Sequence, residues 1–240
     1  FDLAQPFIRQ TDFAGTNYFF YDLNAKMNYQ FSQKDRIYLS GYFGRDVLTF
    51  AQPGRDFQFT LPYGNATATL RWNHLFTEKL FFNLSAIYND YQFKAGFEQE
   101  EFNFDIFSGV RDFTAKFDFD YFPSNDHQVK TGIHATKHRL TPNIIRGSAG
   151  ETEFENTATA KYANEYAIYL QDDWKINPWF RVNLGLRGTL FQQIGPYTSG
   201  INGEVYETGE VVKTYSSLEP RIFINTSLNP NASLKAGVTA

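Results

Sequence analysis

The sequence predicts an all-β chain: a transmembrane, antiparallel up-and-down β-barrel wall. Three observations carry that expectation. Apolar and polar residues alternate over runs of a dozen or more positions, the period-2 pattern of a strand with one apolar and one polar face. Strands of soluble proteins usually stop after about 5–6 residues. The joints between runs switch between very short turns and longer polar or Gly-rich stretches, as in barrels with short turns on one side and longer loops on the other. Aromatics are abundant (26 Phe, 15 Tyr and 3 Trp) and collect near the ends of runs, where interfacial girdles sit.

The pattern is plainest from Glu165 to Leu190. Tyr166, Ile168, Leu170 and Trp174 share one face there, and Glu165, Ala167, Tyr169, Gln171 and Asp173 the other. After the Asn177-Pro178 turn, Phe180, Val182, Leu184, Leu186 and Leu190 oppose Arg181, Asn183 and Arg187. This is one long hairpin, and the rest of the chain repeats its plan about every 45–50 residues, as architecture rather than as a sequence repeat.

Taken in order, residues 1–16 read as a loop with the tail of an earlier strand at Phe1 to Ala4. Phe19 to Phe31 alternate, Ser32 to Asp35 turn, and Ile37 to Phe43 return. Residues 44–63 read as a longer loop. Ala66 to Trp72 and Leu80 to Tyr88 form the next pair around Thr77-Glu78-Lys79. A loop is expected near 94–108, although Phe97 to Phe107 also alternates, so strands could project beyond a membrane. Phe113 to Tyr121 and Val129 to Ala135 flank the turn at Pro123 to Asp126. Long polar or Gly-rich loops are expected at about 140–160 and 195–213. Leu218 to Leu228, a turn at Asn229-Pro230 and Leu234 to Val238, which begins a last strand, bring the count to roughly ten, many of them long enough for the ~9–11 residues that cross a bilayer when tilted.

Composition narrows the function. The 240 residues carry a net charge of −4 and no basic cluster, so no nucleic-acid partner is expected. With no Cys there is no disulfide framework and no thiolate metal site. No run approaches the ~18 apolar residues of a transmembrane helix, which says nothing against a barrel.

Arg or Lys facing lipid costs about 2–4 kcal/mol at the bilayer midplane. Arg71, Lys116, Arg181, Arg187, Arg221 and Lys235 all fall on the polar parity of their runs, so that face is the wet lumen. The lumen-facing candidates are Arg71, Lys116, Asp118, His134, Arg181, Arg187, Glu219 and Arg221. Such a row would hold a plug by polar contacts, tune ion selectivity in an open pore, or simply be solvated. Pro220 has no ladder donor and is expected at the outer rim or a bulge.

Other polar groups carry less. His134 and His138 would be about 13 Å apart on a strand, too far to share a metal ion. His74 and His127 lie near turns and read as lumen or rim residues. Glu98, Glu100 and Glu101 read as a solvated loop, and Asp172 and Asp173 point to opposite faces. No catalytic constellation, phosphate loop or dinucleotide motif is present, so no enzyme, cofactor or metal is predicted.

Four segments resemble barrel strands of TonB-dependent outer-membrane receptors, in the branch that carries a carboxypeptidase-regulatory-like domain: Tyr21 to Asp46, Tyr166 to Pro178, Leu184 to Phe191 and Ser217 to Gly237. The likeness runs over nearly all 240 residues. It implies a barrel of about 22 strands filled by an N-terminal plug. It also implies import of a scarce nutrient (a metal chelate, a cobalamin-like compound or a glycan) with energy from a TonB-type inner-membrane partner. The expected partners are outer-membrane lipid, the plug, that energy-coupling protein, the substrate and, as a candidate, a surface lipoprotein. Residues 1–240 would then be the middle of one barrel domain in the cell outer membrane, with plug and closing strands elsewhere. Three readings compete: a small passive pore or structural barrel, an outer-rim hydrolase built on His138 and neighbouring acidic loops, and a soluble β-rich binding module.

Overall fold

The computed structural model describes residues 14–239 apart from 53, 55, 157 and 202. The strand tail expected at Phe1 to Ala4 lies outside the described residues. Ten strands pair in chain order: β1 (Asn17–Gln30), β2 (Asp35–Ala51), β3 (Phe57–Thr77), β4 (Leu80–Gln99), β5 (Phe102–Ser124), β6 (His127–Ala149), then β8 (Lys161–Asn177), β9 (Phe180–Ile194), β12 (Val211–Asn229) and β13 (Ala232–Thr239). The short β7 (Thr152–Glu155) pairs with the far end of β6. A separate hairpin, β10 (Tyr197–Thr198) with β11 (Val205–Tyr206), hangs between β9 and β12. Every pairing is antiparallel, and β1 and β13 are edges, so the described residues form an open wall.

Side-chain chemistry makes the short turns. Asn177 Oδ1 accepts from the Trp179 amide at 2.9 Å, and Asn229 Oδ1 from the Asn231 amide at 2.9 Å. Each Asn thus folds over the Pro that follows it, mimicking a backbone turn.

The expected long loops are mostly strand. β2 and β3 extend through most of 44–63, β4 and β5 meet at a two-residue turn inside 94–108, and β6 runs through the first half of 140–160. Glycines, prolines and charges signal loops on average, but here adjacent strands supply every ladder, for example Arg45 opposite Gly64 and Val47 opposite Pro62. The prolines sit where pairing lapses. β3–β4 pairing skips Leu61 and Pro62, and β5–β6 pairing is irregular beside Pro142 and Pro123. Pro220 departs from the expectation of a rim or bulge. It sits mid-strand opposite Leu186 in unbroken register with β9. On its other side β13 pairs only as far as Arg221 among the described residues, so no ladder there asks Pro220 for a donor.

The wall is one layer thick. Among the described residues the buried apolar side chains are only Ala163, Ala167 and Ile194, while Leu23, Met27, Ile168 and Leu218 are 60–67% exposed. Burying such a side chain is worth about 1.5–3 kcal/mol. A sheet with no core has to obtain that energy from lipid on its apolar face.

Candidate functional site: the polar face of the wall

Parity and register together arrange the polar face into rows. One row runs Asn28, Tyr38, Arg71, Ser85, Lys116, His134, Ala167, Thr189 and Ser217, each opposite the next across neighbouring strands. The next runs Gln30, Arg36, Asn73, Asn83, Asp118, Gly132, Tyr169, Arg187 and Glu219. All eight residues picked from the sequence lie on this face.

They gather into two groups. On β3 to β6, Arg71 Nε donates to the buried Ser85 hydroxyl at 3.3 Å, and Ser85 stands opposite Lys116. His134 Nε2 lies 2.8 Å from Asp118 Oδ1, and the same oxygen accepts from the Tyr169 hydroxyl at 2.7 Å. On β9 and β12, Arg187 is opposite Glu219, and Thr189 joins them: Arg187 Nε donates to its hydroxyl at 3.3 Å, and that hydroxyl donates to Glu219 at 3.4 Å. Arg221 reaches Glu219 at 3.7 Å, and Arg181 pairs with Asp173 at 3.4 Å.

Tyr169 links the groups, since its register partners are Gly132 and Arg187. Sequence reasoning places Tyr169 on the polar face without singling it out, and does not mark Gly132. A Cβ on Gly132 would lie 2.5 Å from Asp118 Oδ1, 2.7 Å from the Phe117 carbonyl and 2.8 Å from the Tyr169 ring. The missing side chain is what lets aspartate and phenol meet across β6.

A further node was also missed. His138 Nδ1 lies 2.9 Å from Asp112, and Nε2 3.6 Å from Glu165, which Arg187 approaches at 3.9 Å. The rim-hydrolase reading asks for acidic loop residues beside His138. The carboxylates here come from strands β5 and β8 instead, within a row of ion pairs. No cluster of His, Asp or Glu suited to a metal ion occurs among the described residues.

The two remaining histidines are on the opposite, apolar parity, at the short-turn end. His74 Nδ1 is 2.6 Å from Asp35, which also accepts from the Trp72 indole at 3.0 Å. His127 Nδ1 is 2.7 Å from Asp172 and stacks on Trp174. Phe76, Phe82 and Phe119 complete the aromatic girdle. These histidines are therefore rim residues of the outward face. Asp172 and Asp173 do point to opposite faces, one to His127 and one to Arg181.

At the other end, the β10–β11 hairpin carries Tyr206. A hydrogen bond with the Glu204 carboxylate pushes that phenol above its ordinary value.

Residues 83–230 match the family model described as an outer membrane beta barrel domain. Comparison with curated proteins gives no match. Among solved structures, the copper transporter OprC superposes with a TM-score of 0.68 at 12% identity, covering 94% of this chain and 37% of that one. BauA, the ferric preacinetobactin receptor of Acinetobacter baumannii, gives 0.66 at 11% identity, covering 94% and 40%. The unliganded ferric citrate transporter FecA gives 0.62 at 14%, covering 94% and 36%. At these identities the likeness is one of fold, and the chain spans two fifths or less of each of these structures' length.

Proposed function

The chain belongs to the outer membrane β-barrel domain family, and from that premise we propose that it is part of the wall of a TonB-dependent uptake receptor in the outer membrane. The observation that carries this reading is the polar face: rows of hydrogen-bonded polar and charged groups, Asp118–His134–Tyr169 and Arg187–Thr189–Glu219, spread over the wall from β5 to β12. An open channel can use charged rows to tune ion selectivity, whereas a plug held reversibly against the wall requires polar partners there, because each polar group it covers has to be matched. In this reading the plug, the remaining strands and the segment that meets the energy-coupling protein lie elsewhere in the whole protein. The transporters with this wall geometry carry ferric citrate and copper, and BauA is a ferric preacinetobactin receptor. A metal chelate is therefore the substrate class proposed for this barrel. The protein's work is gated passage rather than bond chemistry.

Energy coupling separates this reading from a passive pore. Cells making the full-length protein are expected to accumulate a radiolabelled ferric chelate only while the proton-motive force is intact, and an uncoupler should reduce uptake to background. Uptake that continues unchanged with the uncoupler, together with a large steady conductance in planar bilayers, would replace the receptor by a pore.

A further inference from the structure

The charges of the polar face are not matched evenly along the wall. On β5 to β12 each carboxylate of that parity has a basic partner at 2.8–3.9 Å: Asp112 with His138, Asp118 with His134, Asp120 with Lys130, Glu165 with Arg187, Asp173 with Arg181 and Glu219 with Arg221. β1 to β4 differ. Over Asn24 to Gln30, Arg36 to Tyr42, Asn65 to Asn73 and Phe81 to Asn89 the polar parity has no carboxylate, yet it carries Lys26, Arg36 and Arg71. Lys116 of β5 joins them, opposite Ser85. None of these four cations forms an ion pair among the described residues.

Register puts them on successive rows. Lys26 is opposite Ser40, Arg71 opposite Tyr38, and Arg36 opposite Gln30 and Asn73. Those rows are two residues apart on β2, a step of about 7 Å. One step further is Lys34, in the first short turn. The rows nearest the turns open on a cavity of about 530 Å³ lined by Lys34, Arg36, Tyr38, Asn73 and Asn83. Two carboxylates border it and both are engaged, Asp35 by His74 and Asp120 by Lys130. The middle row is the best-formed station. Arg71 and Lys116 flank Ser85, which is 3% exposed and accepts from Arg71 Nε at 3.3 Å. With β4 between them, β3 and β5 are about 10 Å apart. Both long side chains can therefore reach one oxyanion, the guanidinium as a fork and the ammonium as a point charge, with the Ser85 hydroxyl as a further donor. Several such stations in series let an ion be held and still move on, which passage requires.

We propose that Lys26, the Arg71–Ser85–Lys116 station, Arg36 and Lys34 form an anion ladder on the β1–β5 sector of the wall, which leads a solute bearing carboxylate or phosphate groups to the cavity at the short-turn end. The cargo of the barrel is then a net anion, and it leaves along this sector rather than along the self-matched β6 to β12. The ladder rests on the proposed function in one respect, that the polar face lines the passage.

The test is the conductance of the full-length protein in planar bilayers, in enough urea to displace a plug, under a potassium chloride gradient. The wild-type pore should pass chloride in preference to potassium, and millimolar citrate on the short-turn side should block it, whereas uncharged sucrose should not. R36Q/R71Q/K116Q should raise the inhibition constant of citrate by about tenfold or more and shift the reversal potential toward potassium. Arg71→Lys, which keeps the charge, should retain the block, and Lys137→Gln, on the outward face, should change neither reading. A wild-type pore that citrate does not block would overturn the proposal, as would a triple variant blocked like the wild type. A triple variant that opens at lower urea with its citrate block unaltered would assign these cations to an acidic plug surface instead. If the triple variant fails to fold, the wild-type comparison of citrate with sucrose and the single variant Lys116→Gln decide the matter. Citrate block needs no proton-motive force, so uptake that ignores an uncoupler would remove the receptor reading and leave the ladder to be judged on its own.

Discussion

Leu170→Arg is expected to destabilise the bilayer-embedded protein by about 2–4 kcal/mol, whereas Gln171→Arg, one residue on, should cost less than about 1 kcal/mol. Leu170 is 57% exposed on the apolar parity and pairs with Thr131 and Leu186, among Ile133, Ile168 and Leu184. It lies roughly midway along the apolar belt, where a guanidinium has no water and cannot easily reach an interface. Gln171 pairs with Lys130 and Gly185 on the polar face, where an added guanidinium stays hydrated and has room beside the glycine. Guanidinium-chloride unfolding of the full-length protein in lipid vesicles reads both values. Comparable losses at the two positions would refute the assignment of one face to lipid and the other to the lumen. In detergent-free buffer the contrast should vanish, because water then wets both faces.

Gly132→Val should cost about 2–3 kcal/mol, the usual price of overpacking at a site that cannot relax. The new side chain collides with the backbone carbonyl of Phe117 as well as with Asp118 and Tyr169. Rotamer changes relieve the last two contacts but not the first, so β5 and β6 have to separate locally. The Tyr169 hydroxyl then leaves Asp118, and the two charge groups of the lumen wall lose their link. Gly188→Ala is the matched control: its Cβ would meet only the Ile168 side chain, at 3.8 Å, and should be close to neutral. Thermal or denaturant midpoints of the two variants in vesicles compare them directly. A neutral Gly132→Val would mean that the Asp118–Tyr169 contact does not constrain the wall.

The strand plan was legible because its signal is local. Alternation from Phe19 to Phe31, or from Phe113 to Tyr121, identifies a two-faced strand without reference to any other part of the chain. The turn residues are as direct, since Asn177 and Asn229 act on the backbone two positions away. The extended ends of β2 to β6 were misread as loops for the converse reason. Gly44, Pro62 and Gly96 are poor strand formers alone, and only the neighbouring strands hold them in the sheet.

The polar face was legible as a set of residues and not as a network. Parity alone places Arg71, Lys116, Asp118, His134, Arg181, Arg187, Glu219 and Arg221 toward the lumen. It cannot show that Asp118 meets both His134, 16 residues on, and Tyr169, 51 residues on. Nor did the parity rule extend over whole strands. Arg45, Arg111, Lys137 and Arg139 break it, because the penalty on a charge applies within the hydrocarbon and ends at the headgroups.

By itself, then, the amino-acid sequence determined the all-β plan, the two faces of each long strand and the short turns, because each depends on the chemistry of residues within a few positions of one another. The tertiary structure alone decided which rows form, where the strands end, and that Gly132 opens a passage for Tyr169. Those features depend on register between strands, and register is set by the hydrogen-bond ladders of the assembled sheet rather than by any one segment.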